Sequence, residues 1–349
     1  MRIRPSVTLF AAFAIAAALN TSFHAQRPAP AQHLDRLRTR IDAAMRLAQG
    51  TVGVAIRHLE SDTALALNGD EPFPMASTFK LPVLVELHAM VRAGQLRWDE
   101  VVQIAPIDQH LGSGDLTPLY DPPGVALSMR NLSNLMMMIS DNSAADICLA
   151  RAGAAKVTGR MRALGIDGIR VDRSCQELIL DYTGRDTARL KDLARDDLNE
   201  ALRRDERPQG IEARFAADDR IAADRRDTAT PNAMAALLEK IFRGTAVDRA
   251  ASSAILDLLK RCRTGENRLR GLLPPDTVVA HKTGTLGGVV NDVGLIELPD
   301  NAGHVAIAVM SKRTRAPIED VERTIAQVAR YVYDYFLFTA DRIATPSSR

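Results

Sequence analysis

Aromatic residues and polybasic segments are scarce in this sequence of 349 residues. Phe, Trp and Tyr together make up 4% of the chain, which leaves few platforms on which nucleic-acid bases could stack. The 45 basic and 43 acidic side chains are mixed along the chain, so no segment marks a phosphate backbone or an anionic membrane as a partner. We therefore expect no nucleic-acid partner.

Cysteine and histidine are too few and too scattered to form a familiar site. Cys148, Cys175 and Cys262 are an odd number at unrelated spacings, which argues against a disulfide framework or a cysteine metal motif. One pair could still form a bridge in an oxidising compartment, although buried free thiols are the simpler interpretation. The seven histidines lack paired-ligand spacing, and no G-x-S-x-G occurs. We expect no metal, no cofactor and no Ser-His-Asp triad.

The N-terminus lacks an apolar run long enough to predict a membrane span. Met1, Arg2 and Arg4 precede a short apolar stretch from Val7 to Leu19, which is the pattern of a secretory signal. We predict a signal peptide over residues 1–25, a linker over 26–34, and a secreted or periplasmic protein without stable membrane insertion. An uncleaved anchor is the alternative, because cleavage after residue 25 puts an aromatic residue where a small one is expected.

Hydrophobic periodicity predicts strands near both ends of the chain and helices between them. The segments TVGVAIRHL and TALALNGD alternate like strands, and so do TVVAHKTG, GVVNDVGLIEL and GHVAIAVMSKR near the C-terminus. The chain from Ser77 to Leu259 has mainly helical periodicity. We predict an α/β fold in which a mixed, largely antiparallel sheet is built from both chain ends, flanked by helices and packed against an all-helical lobe.

One catalytic domain is expected over residues 35–340. Its α/β lobe would comprise residues 35–70 and 275–340, and its helical lobe residues 71–274. A polar stretch dense in Arg and Asp predicts a long inserted loop at about 173–227. Ligand clefts favour the junction between such lobes.

A serine and a lysine stand one helical turn apart in the segment FPMASTFKLPV. Ser77 and Lys80 are three residues apart at the start of an apolar-periodic helix, so both side chains lie on the same face. A serine hydroxyl becomes a nucleophile when a neighbouring base takes its proton, and a buried amine can be that base. Taken alone, the pair is equally typical of a capping serine and a solvated lysine.

Two further motifs follow along the chain. Ser140-Asp141-Asn142 comes between two predicted helices, and His281-Lys282-Thr283-Gly284-Thr285 lies on a predicted strand. The first alone is typical of a polar turn with an N-cap, and the second of an ordinary strand end. The order Ser-x-x-Lys, Ser-Asp-Asn, Lys-Thr-Gly is however the motif set of class A β-lactamases and penicillin-binding proteins.

The chain resembles class A β-lactamases from about Asp35 to Tyr335. Besides the three motifs, the segments MMMISDNSAAD, DTATPNAMAALL, TGENRLRGLLP and VNDVGLI are similar to family segments in the same order. The resemblance implies a small-molecule β-lactam substrate and an enzyme that opens the β-lactam amide through an acyl-enzyme, which water then hydrolyses. A monomer is the expected state.

The resemblance also implies a role for each matching residue. Ser77 would be the nucleophile and Lys80 its proton partner, while Ser140 would carry the proton to the β-lactam nitrogen. The other matching residues would bind substrate, namely Asn142, Lys282, Thr283, Thr285 and Arg268, with the backbone amides of Ser77 and Thr285 forming an oxyanion hole. Arg268 would anchor the substrate carboxylate, since Val290 occupies the alternative arginine position. The simpler interpretation of Arg268 is a surface arginine.

The chain departs from the family at the glutamate that activates the deacylating water. After Asp172 and Arg173, ungapped matching puts Cys175 at the catalytic position, whereas a small insertion brings in Glu177. Glu177 is our predicted base, with an ion-pairing loop residue as the alternative. The loop's closing Asp227 lies 54 positions after Arg173, and the two could pair across its neck.

The sequence is also compatible with two other functions. A penicillin-binding D-alanyl-D-alanine peptidase-like hydrolase would acylate through the same residues but deacylate slowly. A catalytically silent exported binding protein would retain the fold alone, although all three motifs are intact. Persistence of the acyl-enzyme distinguishes the first of these from a β-lactamase.

Overall fold

The computed structural model describes residues 30–120 and 124–343. The predicted signal peptide and residues 26–29 of the predicted linker lie outside these residues. Helix α1 (Pro30–Met45) begins within the predicted linker. Its first residue is a proline, which is well tolerated in the first turn of a helix. None of the helices in the described part of the chain is long and apolar enough to cross a membrane.

A five-stranded antiparallel sheet joins the two ends of the chain. Its strands lie in the order β2 (Ala64–Leu67), β1 (Thr51–His58), β9 (His304–Lys312), β8 (Val289–Glu297), β7 (Val279–Leu286). Every neighbouring pair is antiparallel. The predicted fold class is therefore confirmed.

Both faces of this sheet are covered. Successive side chains of a strand point to opposite faces, so each strand contributes residues to the cores on both sides. On β9, Val305, Ile307 and Val309 join the core formed with α1 and the C-terminal helix α12 (Ile318–Ile343). Ala306, Ala308 and Met310 join the core of the helical lobe. Strand β8 is consequently buried along all but its last residue.

The helical lobe is assembled from the middle of the chain. Its principal helices are α2 (Lys80–Arg92), α3 (Met129–Met138), α4 (Asn142–Ala152), α5 (Ala154–Ala163), α10 (Pro231–Phe242) and α11 (Arg249–Lys260). Two short sheets complete it, β3 (Phe73–Pro74) with β6 (Thr228–Ala229), and β4 (Val101–Gln103) with β5 (Ala126–Ser128). Ser128 caps α3, Asp141 caps α4 and Thr230 caps α10, as expected for short polar side chains at helix N-termini.

The predicted inserted loop folds into helices. It contains α6 (Cys175–Tyr182), α7 (Thr187–Leu190), α8 (Arg195–Arg204) and α9 (Ile211–Ala223). Leu180, Leu190 and Leu198 form a small core of its own. The three leucines lie on α6, α7 and α8, one on each helix, so one leucine from each helix, among many charged residues, is enough to form this core.

A buried arginine closes the neck of this insertion, as predicted. Arg173 Nε donates to Asp227 Oδ2 at 2.6 Å. Its Nη1 atom donates to Asp181 Oδ2 at 2.6 Å and to Asp224 Oδ2 at 3.1 Å. The arginine side chain is only 6% exposed. Arg226 pairs with Asp181 and Asp224 as well, so the insertion is tied at its base by two cations and three carboxylates.

Replacing Arg173 with methionine is expected to lower the free energy of unfolding by about 3 to 5 kcal/mol, because it leaves the buried carboxylate of Asp227 without its cationic partner. Denaturant unfolding followed by circular dichroism measures this. Arg170→Met is the matched control, since its ion pair with Asp172 is exposed and contributes little. Equal destabilisation by both changes would contradict a structural role for the neck.

Candidate functional site

A pocket of about 430 Å³ opens between the two lobes. Six segments line it: the turn before α2, the loop that contains Gly112 and Ser113, the loop before α4, the start of α6, the segment after α11, and β7. Of the predicted site residues, Ser77, Ser140, Asn142, Arg268, Thr283 and Thr285 line this pocket. The three motifs of the sequence therefore meet at one place.

Ser77 lies in a tight 3-10 turn, Ala76–Phe79, that leads directly into α2. The preceding Ala76 has φ +44°, a left-handed conformation that is strained for a residue with a side chain and that is enriched at functional sites. Strand β7 passes so close that a Cβ on Gly284 would lie 2.6 Å from the Met75 carbonyl oxygen. The glycine of the Lys-Thr-Gly motif is thus required for the strand to approach the serine.

Lys80 is the first residue of α2 and its side chain is completely buried. Its Nζ atom donates to the Ser140 carbonyl oxygen at 2.7 Å, to Asn142 Oδ1 at 2.8 Å and to Ser140 Oγ at 3.2 Å. These acceptors are neutral oxygens. The amine lies one helical turn from Ser77, and neutral acceptors hold it in place without a carboxylate.

The hydroxyl of Ser140 lies between two lysines. Lys282 Nζ donates to Ser140 Oγ at 2.9 Å, opposite the bond from Lys80. Burial, and then repulsion from Lys80, lower the pKa of Lys282 to about 7. Ser140 itself has φ +61°, so the backbone is strained where the hydroxyl is presented. A hydroxyl between two amines is well placed to pass a proton from one side of the pocket to the other.

The far wall of the pocket contains a buried arginine and two threonine hydroxyls. Arg268 is 5% exposed, and its Nη2 atom donates to Thr285 Oγ1 at 2.7 Å. Its Nε atom pairs with Glu322 Oε1 at 3.1 Å. The hydroxyls of Thr283 and Thr285 line the same wall, and Lys282 lies fully buried next to them on β7. Arg268 is therefore no ordinary surface arginine.

Glu177, the predicted water-activating base, is not among the described residues that line the pocket, so the structure does not bring it together with the other predicted catalytic residues. Its Oε2 atom accepts from the backbone amide of Ser174 at 2.9 Å in a capping box, and Oε1 accepts from Lys191 Nζ at 3.4 Å. Residues one helical turn apart, such as Cys175 and Leu178, share a face of α6. Glu177 is two positions after Cys175 and therefore lies on a different face. The ion-pairing alternative agrees with these contacts.

The pocket face of α6 instead carries Cys175, Leu178 and Ile179. Cys175 is 4% exposed. Burial, and then the nearby carboxylate of Asp146, raise the pKa of the Cys175 thiol well above its usual value. The group at this position is therefore a neutral thiol, and none of the described residues lining the pocket is an aspartate or a glutamate.

Three residues that the sequence did not single out support the site. Asp146 accepts from the backbone amides of Cys175 at 2.6 Å and Gln176 at 3.0 Å, which fixes the first turn of α6. Ser113 Oγ donates to the Ser140 carbonyl oxygen at 3.0 Å, and Thr264 contacts Thr283. Only Asp146 had a sequence signal, since it lies one helical turn after Asn142 on the same face.

This arrangement suits acyl transfer to a serine. It contains a serine at a helix start next to a strained alanine, a buried amine one turn away, a bridging hydroxyl, and a wall with an arginine and two threonine hydroxyls. No group of three or more His, Cys, Asp and Glu side chains that could hold a metal ion occurs within residues 30–120 and 124–343.

Comparison with known proteins gives a consistent result. The model of the β-lactamase enzyme family matches residues 36–336. The β-lactamase VEB-1 of Pseudomonas aeruginosa is 26% identical over 313 residues, which cover 87% of this chain and 91% of that protein. The carbapenem-hydrolysing β-lactamase KPC of Klebsiella oxytoca is 28% identical, over 80% of this chain and 81% of that protein.

Solved structures agree with this. An ancestral class A β-lactamase, the last common ancestor of the Gram-negative enzymes, superposes with a TM-score of 0.68 at 28% identity and covers 85% of this chain and 99% of its own. A β-lactamase of Sphaerobacter thermophilus shares the fold with a TM-score of 0.67 at 24% identity, over 89% of this chain and 98% of its own. From the family match over nearly the whole domain and the class A structures, this chain belongs to the class A branch of the β-lactamase enzyme family.

Proposed function

We propose that this protein is a serine β-lactamase that forms its acyl-enzyme on Ser77 readily and hydrolyses it slowly. One observation carries the proposal: the residues for acylation converge in the pocket, while the wall that faces them carries Cys175, Leu178 and Ile179 and no carboxylate. The names of the relatives support β-lactams as the substrate class.

Acylation would use the groups already assembled. Lys80 in its neutral form takes the proton of Ser77, whose oxygen attacks the β-lactam carbonyl carbon, and the C–N bond of the ring breaks. Ser140 passes a proton to the departing nitrogen, because its hydroxyl is bonded to both lysines. Lys282, the hydroxyls of Thr283 and Thr285, and Arg268 would bind the carboxylate, while Asn142 would contact the substrate amide.

Deacylation needs a base that takes a proton from water as it attacks the ester. The buried thiol of Cys175 is neutral and Glu177 is held in its capping box. General base catalysis is worth about 100- to 10,000-fold, so its loss makes the acyl-enzyme persist. This is the physical basis for a slow second step.

The same geometry supports a second candidate, a peptidase-like enzyme that acts on peptides ending in D-alanyl-D-alanine and is inhibited by β-lactams. A long-lived β-lactam ester is expected of either enzyme. Release of D-alanine from such a peptide, abolished in Ser77→Ala, would favour this candidate. A silent binding protein would form no ester with either class of compound.

The test is to mix the purified protein with benzylpenicillin and follow its intact mass. Opening the ring loses no atom, so the adduct should add the full mass of the penicillin. We expect one adduct per chain, formed faster than it disappears, and none in Ser77→Ala. Hydrolysis of nitrocefin should show a burst of one equivalent followed by a slow steady rate.

Two results would contradict the proposal. Rapid steady turnover without an accumulated adduct would mean that another group supplies an efficient base. Absence of both adduct and turnover in the wild type would favour the silent binding protein. Export to the periplasm or the medium and a monomeric state belong to this proposal as well, and size-exclusion chromatography of the secreted protein tests both.

A further inference from the structure

A second cluster of ionisable side chains lies behind β7, outside the residues assigned above. It consists of Cys262, which follows α11, together with His281 on β7 and Asp292 on β8. They are 4%, 0% and 0% exposed. His281 Nδ1 lies 2.9 Å from both carboxylate oxygens of Asp292. A buried thiol, imidazole and carboxylate are thus grouped on the side of the strand away from Ser77.

The carboxylate and the imidazole control the charge of the thiol. Burial lowers the pKa of His281, but the carboxylate of Asp292 outweighs this and raises it. Burial raises the pKa of Cys262, but its interaction with His281 outweighs this and lowers it. Cys262 therefore changes between thiol and thiolate at a lower pH than an ordinary cysteine.

Two hydroxyls connect this sulfur to the pocket. Cys262 Sγ lies 3.3 Å from Thr264 Oγ1, and Thr264 Oγ1 lies 2.6 Å from Thr283 Oγ1. Thr264 and Thr283 both line the pocket. A hydroxyl donates one hydrogen bond and accepts others, so a chain of two hydroxyls can run in either direction.

We propose that Cys262 is a positioning residue whose protonation sets the direction of this chain, and so sets the affinity of the pocket for the substrate carboxylate. As a thiol, Cys262 can donate to Thr264, Thr264 to Thr283, and Thr283 to the carboxylate. As a thiolate it can only accept, so both threonines donate towards the sulfur and Thr283 presents lone pairs to the ligand. The inference rests on the proposed function, because it requires a carboxylate-bearing substrate.

Other charged groups near the sulfur also make carboxylate binding depend on pH, and their effect has to be distinguished from the ionisation of Cys262. Besides His281 and Asp292, Lys282 acts on Cys262 from β7, and Arg268 acts on Lys282 from the segment after α11. Lys282 itself titrates with a pKa of about 7, so carboxylate binding weakens with rising pH even without Cys262. Cys262 also raises the pKa of Lys282, so a variant with a non-ionising residue at 262 loses the lysine charge at a lower pH, which by itself weakens carboxylate binding. Tighter binding by that variant at high pH therefore reports on the hydroxyl chain, because the effect through Lys282 has the opposite sign.

The experiment compares the wild type with Cys262→Ser, in which a hydroxyl keeps the hydrogen bond but stays neutral. The acylation rate by benzylpenicillin is measured from about pH 5 to about pH 9, and its concentration dependence separates binding from the chemical step. We expect equal binding at low pH, and about tenfold tighter binding in Cys262→Ser at high pH, as one charge-assisted hydrogen bond is worth about that factor. The first-order chemical step should be unchanged.

Two controls make the result specific. The methyl ester of benzylpenicillin has no carboxylate, so the wild type and Cys262→Ser should bind it with the same pH dependence. Cys148→Ala removes a buried thiol within the helical core and should leave the wild-type profile unchanged. Cys262→Ala, which cannot ionise either, replaces the serine variant if that variant does not fold.

Parallel pH profiles for the wild type and Cys262→Ser would overturn the inference, and so would an equal difference on the methyl ester. Failure of the proposed function looks different, because the wild type would then form no acyl-enzyme at any pH. That result would overturn both.

Discussion

Replacing Cys175 with glutamate is expected to shorten the lifetime of the Ser77 acyl-enzyme by about 100- to 10,000-fold. The position lies on the pocket face of α6, and Lys80 and Lys282 act electrostatically on the group there. Burial and the nearby carboxylate of Asp146 raise the pKa of an acidic group at this position, whereas Lys80 and Lys282 lower it. A glutamate there acts as a base only in its ionised form, so the lifetime of the acyl-enzyme should shorten as pH rises.

Cys175→Gln is the matched control for this change. Glutamine has the length of glutamate and fills the same space, but it cannot take a proton from water. After a short exposure to benzylpenicillin and removal of the excess, the decay of the adduct mass is followed for the wild type and both variants. We expect fast decay only for Cys175→Glu. Equal lifetimes for both variants would show that the water is activated from another part of the pocket.

The sequence was able to predict those parts of the site whose geometry is determined by local spacing along the chain. Ser77 with Lys80, and Asp141 with Asn142, are local patterns of a helix start and an N-cap, so their geometry follows from nearest neighbours along the chain. The alternation of the strands likewise predicted the antiparallel sheet. Where local spacing determines the geometry, the sequence was sufficient.

The face of α6 could not be predicted in the same way. The capping box of Ser174 and Glu177 marks where α6 begins, but which face of the helix meets the pocket also depends on Asp146, which binds the first backbone amides of α6 from another helix. The insertion that follows was predicted as a loop because its charges conceal Leu180, Leu190 and Leu198. Both features result from tertiary contacts between segments distant in sequence.

The cluster behind β7 was hidden for the same reason. Cys262, His281 and Asp292 have no motif spacing, and a free cysteine in a sequence is most simply interpreted as a small buried hydrophobe. The antiparallel pairing of β7 with β8 brings the histidine and the aspartate together, and the end of α11 adds the thiol. Its connection to the pocket then depends on two threonine hydroxyls.

Replacing Lys80 with methionine is expected to slow acylation by about 100- to 10,000-fold, because it removes the only amine one helical turn from Ser77 among the described residues. Methionine is unbranched and of similar length, so it fills the buried space. The acylation rate is measured by stopped-flow mixing with nitrocefin. Lys312→Met is the control, since this buried lysine on β9 binds the Pro72 carbonyl oxygen and Glu71 instead of the pocket.

A second, independent prediction for Lys80→Met concerns the pH dependence of substrate binding. Repulsion from Lys80 contributes to lowering the pKa of Lys282 to about 7, so removing Lys80 should raise that pKa. Binding of the substrate carboxylate is lost as pH rises through the pKa of Lys282, because the ammonium loses its charge. In Lys80→Met this loss should therefore begin at a higher pH than in the wild type, whereas Lys312→Met should not move it. Wild-type acylation in Lys80→Met would show that another group takes the proton of Ser77, and an unshifted pH limb would show that the two lysines act separately.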